Sequence, residues 1–246
     1  MSSSRRVCAV IPTFDNPLTI ERVVRAVRPH VAEVLVVDDG SGEEGRLATE
    51  ALAREGLARV LRRDQNGGKG AAVKAGLRLA QELGFSHALQ IDADGQHDPA
   101  DIPTFLAHAT ENPAAAILGY PIFDESTPRG RRAAHGLTNF WTRVETAGAA
   151  ITDPQCGFRV YPVDRAVASL PTADRMDFDI EIAVRLAWAG VNIVNVPTRV
   201  RYLPAESGGV SHFRPFRDNL AITWMHSRLV LGALWRLLTR AWRRAP

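Results

Sequence analysis

The sequence predicts an α/β protein, with a mostly parallel central sheet flanked by helices and a long amphipathic helix at its C-terminal end. Three observations carry that expectation. Short apolar runs alternate with stretches of helical spacing, strand then loop then helix, three times in the first ninety residues or so. Three of the apolar runs end abruptly in polar loops, at Pro12, Asp38 and Asp92, and in parallel sheets ligands sit at such carboxyl ends. The last thirty residues repeat apolar side chains at helical spacing.

Taken in order, Val7 to Ile11 is a continuous apolar run that reads as a buried strand, stopped by Pro12. Thr13 to Pro17 is a loop and Leu18 to Val27 a helix. Val31 to Val37 is the second strand, closed by Asp38-Asp39-Gly40-Ser41-Gly42. Glu43 to Glu55 is a helix, and Ala58 to Leu61 the third strand. Arg62 to Gly70 is a polar, glycine-rich loop before a helix over Ala71 to Leu83. Its spacing is not that of a Walker phosphate loop.

Ala88 to Ile91 is the fourth strand, and Asp92-Ala93-Asp94-Gly95-Gln96-His97 follows it. Acids separated by one residue at the end of a buried strand make a poor core, because unpaired buried carboxylates are costly. They suit a hard cation such as Mg2+ or Mn2+ that bridges to substrate phosphates. Taken alone, the same stretch also reads as an Asp-Gly turn whose acids cap the helix after Pro99.

Asp101 to Thr110 is a helix and Ala114 to Leu118 a strand. Phe123 to His135 is polar and basic and reads as a mobile loop. Leu137 to Ala149 is a helix, Asp153 to Tyr161 a turn leading into a short strand, and Asp164 to Leu170 and Ile180 to Ala189 are helices. Val191 to Val196 is a strand continued by Thr198 to Tyr202, and Pro204 to Gly209 is a flexible loop.

From Leu220 to Arg244 one helical face carries Leu220, Trp224, Leu231, Leu234, Trp235, Leu238 and Trp242, and another carries Arg228, Arg236, Arg240, Arg243 and Arg244. Between Arg214 and Arg244 seven arginines face one acid, Asp218. A basic, tryptophan-rich amphipathic helix fits an anionic membrane interface, and otherwise it packs on its own domain or a partner subunit.

Composition narrows the classes. With 246 residues, 46% of them hydrophobic, the chain can bury a sizeable core. A net charge of only +3 argues against nucleic acid as a partner. Two cysteines, Cys8 and Cys156, make a disulfide framework unexpected. Met1 to Arg6 is polar and basic with no long apolar run after it, so no signal peptide is expected, and no stretch is apolar enough to span a membrane.

Five segments occur in a fixed order: Ile11-Pro12-Thr13-Phe14, Val37-Asp38-Asp39-Gly40-Ser41, Asn66-Gly67-Gly68-Lys69-Gly70, Asp92-Ala93-Asp94-Gly95-Gln96-His97 and Cys156-Gly157-Phe158-Arg159. Together they resemble the family 2 glycosyltransferases, in the branch of polyprenol (dolichol)-phosphate mannosyl- and glucosyltransferases. The resemblance implies a GT-A fold over 7–212, and the basic amphipathic pattern beyond it makes 213–246 a membrane-associating tail. The resemblance also implies a nucleotide-diphosphate sugar donor linked to GDP or UDP, Mg2+ or Mn2+, a lipid-linked acceptor, inversion at the anomeric carbon, and a place on the inner face of the plasma membrane.

Carried over by residue, the resemblance puts Pro12, Phe14, Asn16, Val37, Asp39, Lys69, Asp92 and Ala93 around the donor nucleotide. Asn16 stands where the family commonly has Glu. Asp92, Asp94 and Gln96 would surround the metal. Arg159, Arg201 and His212 would meet phosphates, His212 standing where lysine is common. Asp94 and Asp153 are the expected catalytic acids, with Asp153 favoured over Asp179 and Glu181 as a base. Two other readings stay open: transfer to a hydroxyl of a glycan or glycolipid, and a nucleotidyltransferase or non-catalytic nucleotide-binding module.

Overall fold

In the computed structural model residues 6–122, 129–201 and 215–244 are described. The chain opens with β1 (Val7–Thr13), whose apolar run supplies the central strand. Helix α1 (Ile20–Val27), β2 (Glu33–Asp38), α2 (Glu43–Arg54), β3 (Arg59–Arg62), α3 (Lys69–Glu82) and β4 (His87–Gln90) follow as expected. Then come α4 (Ile102–Glu111), β5 (Ala116–Pro121), α5 (Arg129–Glu145), β6 (Arg159–Pro162), α6 (Val163–Ala168), α7 (Phe178–Trp188), β7 (Ile193–Thr198) and α8 (Pro215–Arg244).

The seven strands run in the order β3-β2-β1-β4-β6-β5-β7. Successive side chains leave opposite faces of a strand, so each strand feeds two cores. Ile11, Val36 and Leu89 meet α1, α2 and α4 on one face. Val10, Leu35 and Ala88 meet α3, α6 and α7 on the other.

Strands β2, β1 and β4 are adjacent and parallel, with Ile11 opposite Val36, Thr13 opposite Asp38 and Val10 opposite Gln90. Their polar tips therefore emerge side by side on one sheet edge. Strand β6 is the exception, antiparallel to both β4 and β5, with Arg159 opposite Gln90 and Leu118. Because it runs backwards, its first residue lies at the edge where β4 ends. That delivers the Asp153–Phe158 turn to the same edge.

Two expectations need correction. The basic segment expected to be a mobile loop up to His135 is helical from Arg129, because α5 starts earlier than its apolar periodicity does. The acids after β4 do not cap the following helix. Asp98 of the same stretch caps only the short 3-10 turn at Pro99–Asp101, accepting from the Ala100 amide, and α4 itself has no side-chain cap. The segment expected to be a loop at Pro204 to Gly209 lies outside the described residues.

Helix α8 docks through Met225 and Leu229, buried against Ile180 and Val184 of α7. These are not the residues of the regular apolar stripe. Leu220, Trp224, Leu231, Leu234, Trp235 and Leu238 instead point outward, each more than half exposed. Arg228 and Arg236 face inward. Arg228 pairs with Glu181 at 3.1 Å, and Arg236 donates to the Trp188 carbonyl while lying over its ring. Among the described residues no helix is long and apolar enough to cross a membrane.

Candidate active site

The polar tips enclose a cavity of about 1480 Å³. Its floor is built from Pro12, Thr13, Phe14 and Asn16 after β1, Asp39 after β2, Asn66 to Lys69 before α3, and Asp92 to His97 after β4. Its far wall comes from α5 and α8, including Leu137, Trp141, Ile222 and Val230. That wall is mixed, its apolar side chains standing among Thr138, Asp218, Thr223 and His226, and small-molecule sites commonly combine the two kinds.

The first two loops are tied together. The Asp15 amide donates to Ser41 Oγ at 2.9 Å, and the Gly42 amide donates to Asp15 Oδ1 at 2.8 Å. The price of this bracing is a left-handed backbone at Asp15, φ 52°. Asn16 Oδ1 accepts from the Phe14 amide and from Thr13 Oγ1. A backbone N–H can only donate, so the amide orientation is fixed and Nδ2 faces away from these contacts. Nδ2 is buried with no partner among the described residues. A ligand oxygen there would remove the penalty of an orphaned donor. Asp39 is also nearly sealed: the Gly67 and Gly68 amides donate to it at 3.1 and 2.7 Å, and Arg63 pairs with it.

Lys69 is the electrostatic centre. Its Nζ lies 2.8 Å from Asp92 and 2.8 Å from Asp179. Burial alone would lower the lysine's pKa, but the two carboxylates outweigh it and hold the ammonium well above its usual value. Burial likewise works to raise Asp92, while Lys69 and then His97, whose Nε2 is 3.7 Å away, hold that carboxyl well below the usual range. Asp94 makes no ion pair among the described residues. Burial and then the charge of Asp92 push it upward, against a hydrogen bond from the Gln96 backbone N–H at 3.0 Å and the weaker pull of His97 and Lys69.

Behind Lys69 a buried polar chain runs into the sheet. Gln90 Nε2 donates to Asp179 Oδ1 at 2.9 Å, and Tyr161 Oη donates to Gln90 Oε1 at 3.1 Å. Arg159 donates to the carbonyls of Cys156, Pro154 and Asp179 at 2.6, 2.6 and 2.7 Å. Its side chain has no exposed surface. Arg159 therefore braces the turn and α7 from inside, and the phosphate contact expected of it is not available in this arrangement.

Other expected site residues also fall elsewhere. Val37 is a core side chain behind the cavity floor. Asp153 is buried, accepts from the Gln155 and Cys156 amides, and pairs with His135, which stands between it and the cavity. Arg201 is three-quarters exposed and lies 3.8 Å from Asp98, off the cavity wall. His212 lies outside the described residues. Glu181 is buried and pairs with Arg185 and Arg228.

The Cys156-Gly157 turn closes the floor. A Cβ at Gly157 would lie 2.5 Å from Asp92 Oδ2 and 2.5 Å from Lys69 Nζ, which explains the glycine. Burial pushes the Cys156 thiol up to about 12, so it is no nucleophile at neutral pH. Gly157→Ala is expected to cost about 1–3 kcal/mol in a denaturant melt, the range for forcing an atom into a packed site, and to lower activity with it.

Among the described residues no cluster of three or more His, Cys, Asp or Glu side chains is arranged to hold a metal ion. Asp92, Asp94 and the Gln96 side-chain carbonyl are a sparser set. Asp92 Oδ1 lacks a well-aligned hydrogen bond among the described residues, and at Asp94 burial and the charge of Asp92 outweigh the pull of His97 and Lys69. Such a set fits a hard ion of the Mg2+ type, which fills its remaining positions with water and substrate phosphates.

A mostly parallel α/β sheet, with acids at the end of β4 opposite the tips of β1 and β2, is the architecture of a GT-A glycosyltransferase. The model of the family described as Glycosyl transferase family 2 matches residues 8–162, and the chain belongs to that family of sugar-transferring enzymes. It is 30% identical over 248 residues to an undecaprenyl-phosphate mannosyltransferase of Micrococcus luteus, covering 92% of this chain and 99% of that one. It is 32% identical to a polyprenol monophosphomannose synthase of Mycolicibacterium smegmatis, covering 79% and 77% of the two chains. Among solved structures, glucosyl-3-phosphoglycerate synthase from Mycobacterium tuberculosis, crystallised with Mn2+ and UDP-glucose, shares the fold with a TM-score of 0.66 and 19% identity, covering 94% of this chain and 79% of that one.

Sequence reading found the loop tips, Lys69 and the acids of β4, but missed His97, His135, Arg175 and His226 on the cavity wall. His97 closes a quoted motif and could have been taken from it. The other three sit in helices or connections with no local signature.

Proposed function

We propose that this enzyme transfers a hexose, with inversion and with the help of Mg2+ or Mn2+, from a GDP- or UDP-linked sugar to a polyprenyl phosphate at a membrane surface. The observation that carries the reading is one cavity with two sides. Phe14, Asn16, Asp39, Asp92 and Asp94 line one side, and α5 and α8 add Leu137, Trp141, Ile222, Val230 and Leu231 among polar side chains such as Thr138, Asp218 and His226. The first side suits a nucleotide diphosphate, and the apolar side chains of the second suit a lipid. The names of the relatives and the Mn2+ and UDP-glucose bound by the structural neighbour support both halves.

Phe14 offers a face to the base, and the orphaned Nδ2 of Asn16 a hydrogen bond to an oxygen of the nucleotide. Asp92, Asp94 and Gln96 would hold the divalent ion, which supplies Lewis-acid stabilisation of the departing diphosphate. Lys69 keeps Asp92 ionised and aimed. In the transfer itself an acceptor phosphate oxygen bonds to the anomeric carbon as the bond from that carbon to the donor diphosphate breaks.

No proton has to be removed from a phosphate nucleophile. That matches the site, because Asp153 is bound behind His135 and Asp179 is held by Lys69 and Gln90. Transfer to a hydroxyl would need a carboxylate base. The test is turnover of a panel of UDP- and GDP-sugars with Mn2+, with and without polyprenyl phosphate. A glycolipid product that needs both metal and lipid phosphate is expected, and product formed only with hydroxyl acceptors would refute the assignment.

The membrane contact follows from α8. Its packing turns Trp224, Trp235 and Leu238 outward, and α5, which packs against α8, also exposes Leu137, Phe140 and Val144. We place the enzyme as peripheral on the cytoplasmic face, with 213–246 as its attachment segment. Changing Trp224, Trp235 and Leu238 together to Gln is expected to weaken co-sedimentation with anionic vesicles at least about tenfold, given the apolar area removed. The melting temperature should stay unchanged, since none of the three is in the core. Retained sedimentation would count against the contact.

A further inference from the structure

We infer that Arg175 is a binding residue for a phosphate of the donor nucleotide, an inference that rests on the nucleotide-sugar reading above. Arg175 lies in the connection between α6 and α7 and lines the cavity beside Asn66 and Gly68. Its stem crosses Gly68 so closely that a Cβ there would meet Arg175 Cγ at 2.7 Å. Gly68 itself has a left-handed φ of 102°, so the position admits glycine on both counts.

The charge balance of the cavity singles this residue out. Among the described residues, Lys69 and Arg175 are the only lysine or arginine side chains on its wall, facing the carboxylates of Asp39, Asp92, Asp94, Asp179 and Asp218. Lys69 is committed to Asp92 and Asp179. Asp39 is balanced by Arg63. Arg159 is sealed in the core, and Arg201 is off the wall. The Arg175 guanidinium makes no hydrogen bond or ion pair among the described residues, and its residue is half-buried.

A diphosphate entering this cavity brings negative charge to a wall already rich in carboxylates. The uncommitted fork of an arginine suits phosphate oxygens, which it can contact with two N–H groups at once. Its position favours the donor over the acceptor. The adjoining Gly67 and Gly68 amides hold Asp39, and the next residue, Lys69, reaches Asp92, so Arg175 stands between the loop after β2 and the acids after β4.

The test is equilibrium binding of UDP, GDP, uridine and guanosine, with Mg2+ present, to the full chain, to Arg175→Met and to Arg175→Lys. Met keeps the stem over Gly68 and removes the charge, and a thermal melt checks that both variants fold. Arg175→Met is expected to bind the preferred diphosphate about ten- to a hundredfold more weakly, the range for a lost hydrogen bond to a charged group, with nucleoside affinity unchanged and Lys recovering part of the loss. Unchanged diphosphate affinity overturns the inference. So does an equal loss for nucleoside and diphosphate, which would make Arg175 a wall residue only. If the unaltered chain binds neither nucleotide, the nucleotide-sugar reading itself fails.

Discussion

Asp94→Asn is expected to lower sugar transfer by about a hundred- to a thousandfold while leaving the protein as stable as before, or more so. The first half follows from position. Asp94 lines the cavity beside Asp92, and its loss would remove a charge from the proposed ion site, an electrostatic contribution of the size measured for single transition-state stabilisers. The second half follows from electrostatics. Burial and the neighbouring Asp92 both raise the Asp94 carboxyl above its usual value, so the folded protein resists that charge. A neutral isostere relieves the repulsion. Activity measured beside a thermal melt separates this outcome from simple unfolding. Full turnover would refute the role, and a large drop in melting temperature would refute the electrostatic account.

Lys69→Met should behave in the opposite way, losing activity and stability together. Methionine keeps most of the stem but leaves Asp92 and Asp179 facing each other with no ammonium between them. Removing one partner of a buried ion pair costs about 3–5 kcal/mol, which for a chain of this size lowers Tm on the order of 10 °C. The pH dependence has a definite sign. Asp92 is depressed in the folded state from a usual value of 3.8, so its contribution is complete above that value and is lost as pH falls toward the lower folded one. Acid unfolding of the parent should therefore steepen below about pH 4. In Lys69→Met that acid-side loss should shrink or reverse, because protonating one carboxylate then relieves repulsion.

Much of this site was legible in the sequence because strand ends announce themselves. Val7 to Ile11, Val31 to Val37 and Ala88 to Ile91 are apolar runs stopped by polar residues, and parallel crossover connections bring such ends to one edge. Asp92 and Asp94 followed from that logic, whereas Lys69 came only from the resemblance, and all three line the cavity. Direction was not legible. Alternating side chains look alike in parallel and antiparallel strands, so nothing in Arg159–Pro162 showed that β6 runs backwards between β4 and β5.

Depth was not legible either. An arginine after Cys-Gly-Phe looks the same whether it meets a phosphate or three backbone carbonyls, and here Arg159 meets the carbonyls. In α8 the regular stripe of leucines and tryptophans fits a membrane interface, or otherwise a packing face, and periodicity alone does not choose between them. Packing uses Met225 and Leu229, because Glu145 of α5 holds His226 at 2.6 Å and Glu181 of α7 holds Arg228, which together set the rotation of the helix. Long-range ion pairs of this kind leave no local trace in a sequence.

The central claim is that the acids after β4 and the loops after β1 and β2 form one donor site joined through a divalent ion. The most direct measurement is Mn2+ binding, followed by electron paramagnetic resonance, in the presence and absence of UDP and GDP. If the ion and the diphosphate share the site, the favoured nucleotide tightens Mn2+ binding and Mn2+ tightens nucleotide binding by the same factor, and Asp94→Asn abolishes the coupling. Mn2+ and nucleotide that bind independently of one another would contradict it.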